Sequence, residues 1–222
     1  MFLTSASPVW LFDLDNTLHD ASPHIFPHIN RAMVAYIRQH LGVGEDDATR
    51  IRQDYWQRYG ATLLGLMRHH GTDPDHFLWH THQFPDLKRM LVFERGLKAM
   101  LCRLPGRKIV FSNAPLRYSE AVLQLIGIDD CFDAVYSVER IRFQPKPAVA
   151  GFRHLLRSEQ LPAHRCIMVE DVLSNLRTAK KLGMKTVWLS AGTRLPAWVD
   201  VRLVSLLDLP QRARSLWRAS SR

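Results

Sequence analysis

The chain alternates between short, continuous apolar runs and longer stretches whose apolar residues recur at helical spacing. Val9-Trp10-Leu11-Phe12 is the first run, bounded by Pro8 and Asp13. Lys108-Ile109-Val110-Phe111 ends at Ser112-Asn113, and Ala134-Val135-Tyr136 ends at Ser137. Cys166-Ile167-Met168-Val169 ends at Glu170-Asp171, and Thr186-Val187-Trp188-Leu189 at Ser190. Short apolar runs closed by polar residues predict strands buried on both faces. Between most of them lie helical patterns: Ser119 to Ile126, Ala148 to Arg157 and Leu173 to Leu182. Gly127 and Gly183 each follow a helical stretch and suit left-handed C-caps. This alternation predicts an α/β fold, a parallel sheet with helices on both faces.

Residues 19–93 break the alternation. No buried-strand run occurs there, and the spacing predicts helices over Ile25 to His40, Asp46 to Gly60 and Thr62 to His69, with a shorter one near Asp75. Trp56, Tyr59, Leu63, Leu66 and Met67 fit one apolar helical pattern. The segment reads as a helical insertion after the first strand, a cap. The resulting division is a core of residues 1–18 and 94–210, a cap of residues 19–93 and a basic tail of residues 211–222.

Composition sharpens this only in places. With 222 residues, 46% of them hydrophobic, the chain can bury one full core and a smaller lobe. The formal net charge of +9 admits an anionic macromolecule or a small anionic substrate as partner. The basic residues are spread along the chain and not interleaved with aromatics, which argues against a nucleic-acid groove. The tail is the exception, with Arg212, Arg214, Arg218 and Arg222, and could dock an acidic partner. Cys102, Cys131 and Cys166 lack metal-type spacing, and their apolar neighbours predict buried free thiols. Asp13 and Asp15 interrupt the first apolar stretch, so neither a signal peptide nor a membrane span is predicted, and a cytoplasmic location is expected. His69-His70, His76, His80 and His82 do not show the spaced ligands that a zinc site on a fixed scaffold requires.

The polar residues at the strand ends carry the candidate chemistry, since open parallel sheets bind ligands at the carboxyl ends of their strands. Asp13 and Asp15, two residues apart after the first strand, are poor core material unless something offsets their charge. Asp13 can serve as metal ligand and nucleophile. Asp15 can offer its main-chain carbonyl to the metal and its carboxyl group for proton transfer, and Thr17 can bond to a phosphate or to Asp15. A capping or turn role for the aspartates is the competing reading. Ser112-Asn113 offers a hydroxyl and backbone amides at a strand-to-helix junction, which suits an anion or a simple helix cap. Lys146, fixed between Pro145 and Pro147, can neutralise a transferring phosphoryl group, or be an ordinary loop lysine. Glu170-Asp171 suits a hard cation such as magnesium, with Asp171 the more direct ligand, or caps the next helix.

Taken in order, these four pieces resemble the four motifs of haloacid dehalogenase superfamily phosphatases, over roughly residues 8–18 and 107–190. The resemblance implies a Rossmann-like core with an inserted helical cap, a Mg2+ cofactor and an aspartyl-phosphate intermediate. It makes Asp13 the attacking group and Asp15 the acid and base. Thr17, Ser112, Asn113 and Lys146 become holders of the phosphoryl oxygens. Asp171, with Glu170, completes the metal site begun by Asp13 and Asp15. Many members carry a further acid where this chain has Asn175, whose amide can orient a metal-bound water or hold Lys146.

Shorter stretches resemble the pyrimidine 5′-nucleotidase branch: Tyr59-Gly60-Ala61-Thr62-Leu63 with Gly65-Leu66, Phe111-Ser112-Asn113-Ala114, and Val169-Glu170-Asp171-Val172-Leu173-Ser174-Asn175-Leu176. They imply a small phosphorylated metabolite, UMP or CMP, as substrate. His19, His24 and His28 are candidate nucleotide contacts, as are Tyr59 for stacking on a base and Thr62 for bonding to one, although solvated or core positions suit them too. A phosphatase for sugar phosphates or phosphoglycolate is the alternative within the class, and a non-catalytic regulatory binding protein the alternative outside it.

Overall fold

The computed structural model describes residues 7–193 and 195–218. Six strands form one sheet: β1 (Val9–Phe12), β2 (Arg107–Phe111), β3 (Ala134–Tyr136), β4 (Cys166–Glu170), β5 (Lys185–Leu189) and β6 (Val201–Leu203). Their order is β3-β2-β1-β4-β5-β6, and every pairing is parallel. In register, Leu11 of β1 lies between Ile109 of β2 and Met168 of β4. All four β1 residues are buried, as a strand covered on both faces requires.

The helices are α1 (Ile25–Leu41), α2 (Glu45–Tyr59), α3 (Thr62–His70), α4 (Pro74–Thr81), α5 (Leu87–Met90), α6 (Leu97–Arg103), α7 (Leu116–Ile126), α8 (Val149–Ser158), α9 (Leu173–Lys181) and α10 (Leu209–Arg218). Two compact units result: Met1–Asp20 with Val92–Arg222, and Ala21–Leu91. In the sheet unit, Val9, Leu11, Ile109, Phe111 and Met168 point to one face. There they pack with Phe152 and Leu155 of α8 and Leu176 and Ala179 of α9. Alternate residues Trp10, Phe12, Val110 and Ile167 are equally buried, and by the period of two they serve the opposite face. The strand order reverses at β1, with β2 and β3 on one side and β4, β5 and β6 on the other. The crevice at the end of β1 is therefore the switch point where such sheets bind ligands.

The helical unit is held by its own core. Ile25, Ile29, Tyr36 and Ile37 of α1 are buried with Leu63 and Leu66 of α3 and Phe77 and Leu78 of α4. Gly65 lets α3 lie directly on α2, because a Cβ there would overlap Cβ and Cγ of Tyr55.

Four expectations change. β6 was not anticipated: Arg202 interrupts its three residues, which suits an edge strand with one open side. Residues 211–218, expected as a tail, continue α10, which buries Leu209 and Leu216; residues 219–222, with Arg222, lie outside the described residues. Of the three free thiols only Cys166 is buried; Cys102 is exposed on α6 and Cys131 is half-buried. Trp56, at core spacing by sequence, is 60% exposed, because α2 buries little besides Ala48.

Candidate active site

The site begins where β1 stops. Asp13 still follows strand geometry, donating its N–H to the Val169 carbonyl at 3.0 Å. The chain then turns back on itself, with Leu18 N–H bonded to the Leu14 carbonyl at 2.8 Å. Asn16 takes φ 59° in this turn, a left-handed conformation that asparagine tolerates. The turn buries Asp13 and Thr17 beside the strand ends. Thr17 Oγ1 is buried with no hydrogen-bond partner among the described residues.

Lys146 reaches this point from the loop before α8 and is only 2% exposed. Asn113 fixes its backbone from both sides: Asn113 Nδ2 donates to the Lys146 carbonyl at 2.9 Å, and Lys146 N–H donates to Asn113 Oδ1 at 2.8 Å. Lys146 Nζ then donates to Asp13 Oδ1 and to Glu170 Oε2, both at 2.7 Å. The Asn113 side chain, expected to hold phosphoryl oxygens, is thus committed to the lysine loop. Ser112 is buried, and its Oγ accepts the Ala114 N–H at 3.0 Å, which leaves its hydroxyl hydrogen to donate elsewhere.

Glu170 is surrounded by donors. Its Oε2 accepts from Lys146 Nζ and from Asn175 Nδ2 at 2.9 Å; its Oε1 accepts the N–H groups of Asp171 and Val172 at 3.1 and 3.0 Å. Asn175, where an acid was the family expectation, is buried and serves as one of these four donors. A carboxylate with every bonding direction filled is a poor direct metal ligand. Asp171 is the opposite case: its Oδ1 is buried and has no hydrogen-bond partner among the described residues.

The charges follow. Burial opposes the Glu170 carboxylate, but Lys146 and the hydrogen bonds outweigh it and hold the group at about 2. Burial, then the Glu170 charge, pushes Asp13 well above the usual carboxylate range against the pull of Lys146. Burial and Glu170 raise Asp171 to about 8. Burial also opposes the Lys146 charge, yet Asp13 and Glu170 raise it overall. Three carboxylates with ligand atoms within 4.8 Å of one another face a single ammonium. The ionised cluster carries a net charge of minus two, and its hard oxygen donors suit a divalent cation such as Mg2+. The orphaned Asp171 oxygen is the specific vacancy in hydrogen bonding that an ion would fill.

Asp15 stands apart from this cluster. Tyr118, in the first turn of α7, donates its hydroxyl to Asp15 Oδ1 at 2.7 Å. His19, a candidate nucleotide contact by sequence, is buried, and its Nε2 lies 2.9 Å from the same oxygen. His19 Nδ1 is buried without a hydrogen-bond partner among the described residues. A proton on Nε2 donated to Asp15 leaves Nδ1 as the unpaired acceptor, the less costly arrangement. Sequence reasoning missed Tyr118; its one signal was a tyrosine one turn into the helix that follows the Ser112 motif.

The remaining candidates lie in the helical unit. Thr62 is buried, and its hydroxyl donates to the Arg52 carbonyl at 3.0 Å, which leaves it only acceptor capacity. Tyr59 OH is 2.6 Å from His69 Nε2. His24 is exposed just before α1, and His28 Nε2 lies 2.6 Å from the Gln83 carbonyl.

The sequence pattern of haloacid dehalogenase-like hydrolases matches residues 9–183. The chain is 26% identical over 196 residues to "Phosphate metabolism protein 8" of Saccharomyces cerevisiae, covering 81% of this chain and 60% of that protein. It is 24% identical over 199 residues to a phosphoglycolate phosphatase of Colwellia psychrerythraea, covering 83% and 84% of the two chains. It is 27% identical over 197 residues to a 5′-nucleotidase of Pseudomonas aeruginosa, covering 83% of each. Among solved structures, a HAD phosphatase from Thermococcus onnurineus superposes with a TM-score of 0.67 at 21% identity, over 93% of this chain and 97% of that one. The chain belongs to the haloacid dehalogenase-like hydrolase family.

Proposed function

We propose that the chain is a magnesium-dependent phosphomonoesterase that works through a phosphoryl group carried on Asp13, and that its substrates are pyrimidine 5′-nucleotides. The observation that carries the chemistry is the division of labour between two aspartates of one turn. Asp13 sits among Lys146, Glu170 and Asp171, where one ammonium and a divalent cation bound to the carboxylates would hold an anion. Asp15 sits outside that cluster, held by Tyr118 and His19.

In this reading Asp13 and Asp171 would hold the cation through their carboxylates, joined by the main-chain carbonyl of Asp15, while Glu170 acts by fixing Lys146. Bound Mg2+ would offset negative charge on the phosphoryl oxygens and keep Asp13 ionised. Asp13 Oδ attacks phosphorus as the ester P–O bond breaks, and the leaving alkoxide takes the proton of Asp15. Asp15, now ionised, accepts a proton from water, whose oxygen attacks the phosphorus. Inorganic phosphate leaves and Asp13 is restored. Lys146, Thr17 and Ser112 donate to the phosphoryl oxygens as charge accumulates there. Asn113 acts by holding Lys146 in place.

Support for nucleotides is of another kind: the resemblance of short stretches to the pyrimidine 5′-nucleotidase branch, and a relative named 5′-nucleotidase. Part of that resemblance has a packing cause. Gly60 ends α2 at φ 80°, Thr62 bonds back to α2, and Gly65 accommodates Tyr55. The relative named phosphoglycolate phosphatase keeps a second reading open within the same chemistry. The test is phosphate release from UMP, CMP, dUMP, dTMP, AMP, GMP, sugar phosphates and phosphoglycolate, with magnesium and with chelator. Preference for the pyrimidine nucleotides supports the reading. Preference for another ester replaces the substrate and leaves the chemistry standing.

A further inference from the structure

Four rings converge in the helical unit. Tyr36 and His40 lie one helical turn apart near the end of α1, and His76 and His80 lie one turn apart on α4, so each pair shares a helix face. The ring centroids of His76 and His80 are 4.3 Å apart, those of His40 and His76 5.2 Å, and those of His40 and His80 6.4 Å. Tyr36 lies against His40 with centroids 4.1 Å apart. All three histidines are exposed, so the cluster is open to an ion from solution.

The three imidazoles surround the ring of Tyr36, which is itself buried. Among the described residues none of the three is ion-paired with a carboxylate. Two imidazoles on one ion, each with a metal–nitrogen bond of about 2.1 Å, have ring centres roughly 4.5–5.5 Å apart. The His76–His80 and His40–His76 spacings are close to that range. The His40–His80 spacing is wider, and the nitrogens do not yet meet at one point; only the catalytic carboxylates do so among the described residues. Side chains exposed on two helix surfaces can close that gap by rotation.

Tyr36 supplies the outer contact that such sites use. Its hydroxyl lies 2.8 Å from His76 Nδ1. With Nδ1 protonated and donating to the phenol oxygen, Nε2 is left as the metal-binding atom, oriented by its neighbour.

We propose that His40, His76 and His80 form a second metal site, for a late first-row divalent cation of the zinc, nickel or copper type, which clasps α1 to α4. Its ligand chemistry separates it from the catalytic carboxylates, since imidazole favours these ions over magnesium. The stretch His69 to His82 alone shows no such site because the third ligand comes from another helix. What the ion contributes is rigidity of the helical unit.

The test is zinc titration by calorimetry on the full-length chain without a histidine tag, with magnesium saturating the carboxylates. Cobalt absorption serves as an independent report of nitrogen ligation. One zinc per chain is expected, with a rise in melting temperature. His40→Gln and His80→Gln should each weaken binding by about 10-fold or more, and Tyr36→Phe by about 10-fold. His69→Gln/His70→Gln should leave it unchanged. Circular dichroism confirms folding of each variant, and the exposed glutamine replacements leave the buried core intact. Absence of stoichiometric zinc binding overturns the proposal, as does binding unchanged in the His40→Gln/His76→Gln/His80→Gln protein.

Discussion

Tyr118 donates its hydroxyl to Asp15 Oδ1 at 2.7 Å, which ties the first turn of α7 to the turn after β1. Burial first, then the Asp15 charge, pushes the phenol far above its ordinary range, so it remains a donor at every working pH. The bond restrains the rotamer of the carboxyl group assigned to proton transfer. Tyr118→Phe should lower kcat by about 10-fold with little change in KM, since a hydrogen bond to a charged group contributes roughly 1.5–3 kcal/mol. Steady-state kinetics decide this, and an unchanged kcat would remove Tyr118 from the account.

Lys146 is the only cation on the buried carboxylates among the described residues. Lys146→Met removes a partner from both Asp13 and Glu170. The expected loss of kcat is about 100–1000-fold, in line with removal of one preorganised donor from a transition state. Stability should fall by about 3–5 kcal/mol without magnesium, because a buried charge is left unpaired, and by less with it. Chemical denaturation with and without magnesium measures both.

The carboxylates also predict how stability varies with pH. Asp171 is raised to about 8 and Asp13 is raised as well. Groups raised in the folded state contribute stability that is complete below the ordinary carboxylate range and is lost as pH climbs through the folded value. Glu170, at about 2, works in reverse, contributing above the ordinary range and losing it in strong acid. The magnesium-free protein should therefore lose thermal stability between about pH 5 and pH 8. Magnesium should raise the melting temperature more at pH 8 than at pH 5, by calorimetry. An equal rise at both would place the ion away from these acids.

Much of this was readable from the chain. The run Val9 to Phe12 became β1 because four apolar residues in a row suit only a strand covered on both sides. The acids after it were conspicuous because buried charge needs a partner. The bonds of the Asn113 side chain to Lys146, far along the chain, were out of reach of spacing, which shows a strand-end amide only as a candidate anion ligand. Tyr118 and the role of His19 were hidden for the same reason: their meaning lies in contacts across the fold, not in spacing. Trp56 shows the limit of periodicity, which finds a helix face without saying whether anything covers it.

Gly151 ties packing to chemistry. A Cβ there would overlap the carbonyl oxygen of Gln144, on the loop that carries Lys146. Gly151→Ala should destabilise the fold by about 1–3 kcal/mol and lower kcat by displacing that loop, while Gly127→Ala, at a helix end with open space, should cost stability alone. Denaturation curves and kinetics on both variants separate the two effects.

The most direct measurement is an acid quench during turnover of a phosphate ester labelled with radioactive phosphorus, followed by peptide mapping of the protein. Label is expected on the peptide containing Asp13, formed only with magnesium, discharged by water, and absent from Asp13→Asn. Label on another residue, or undiminished turnover by Asp13→Asn, would contradict that expectation.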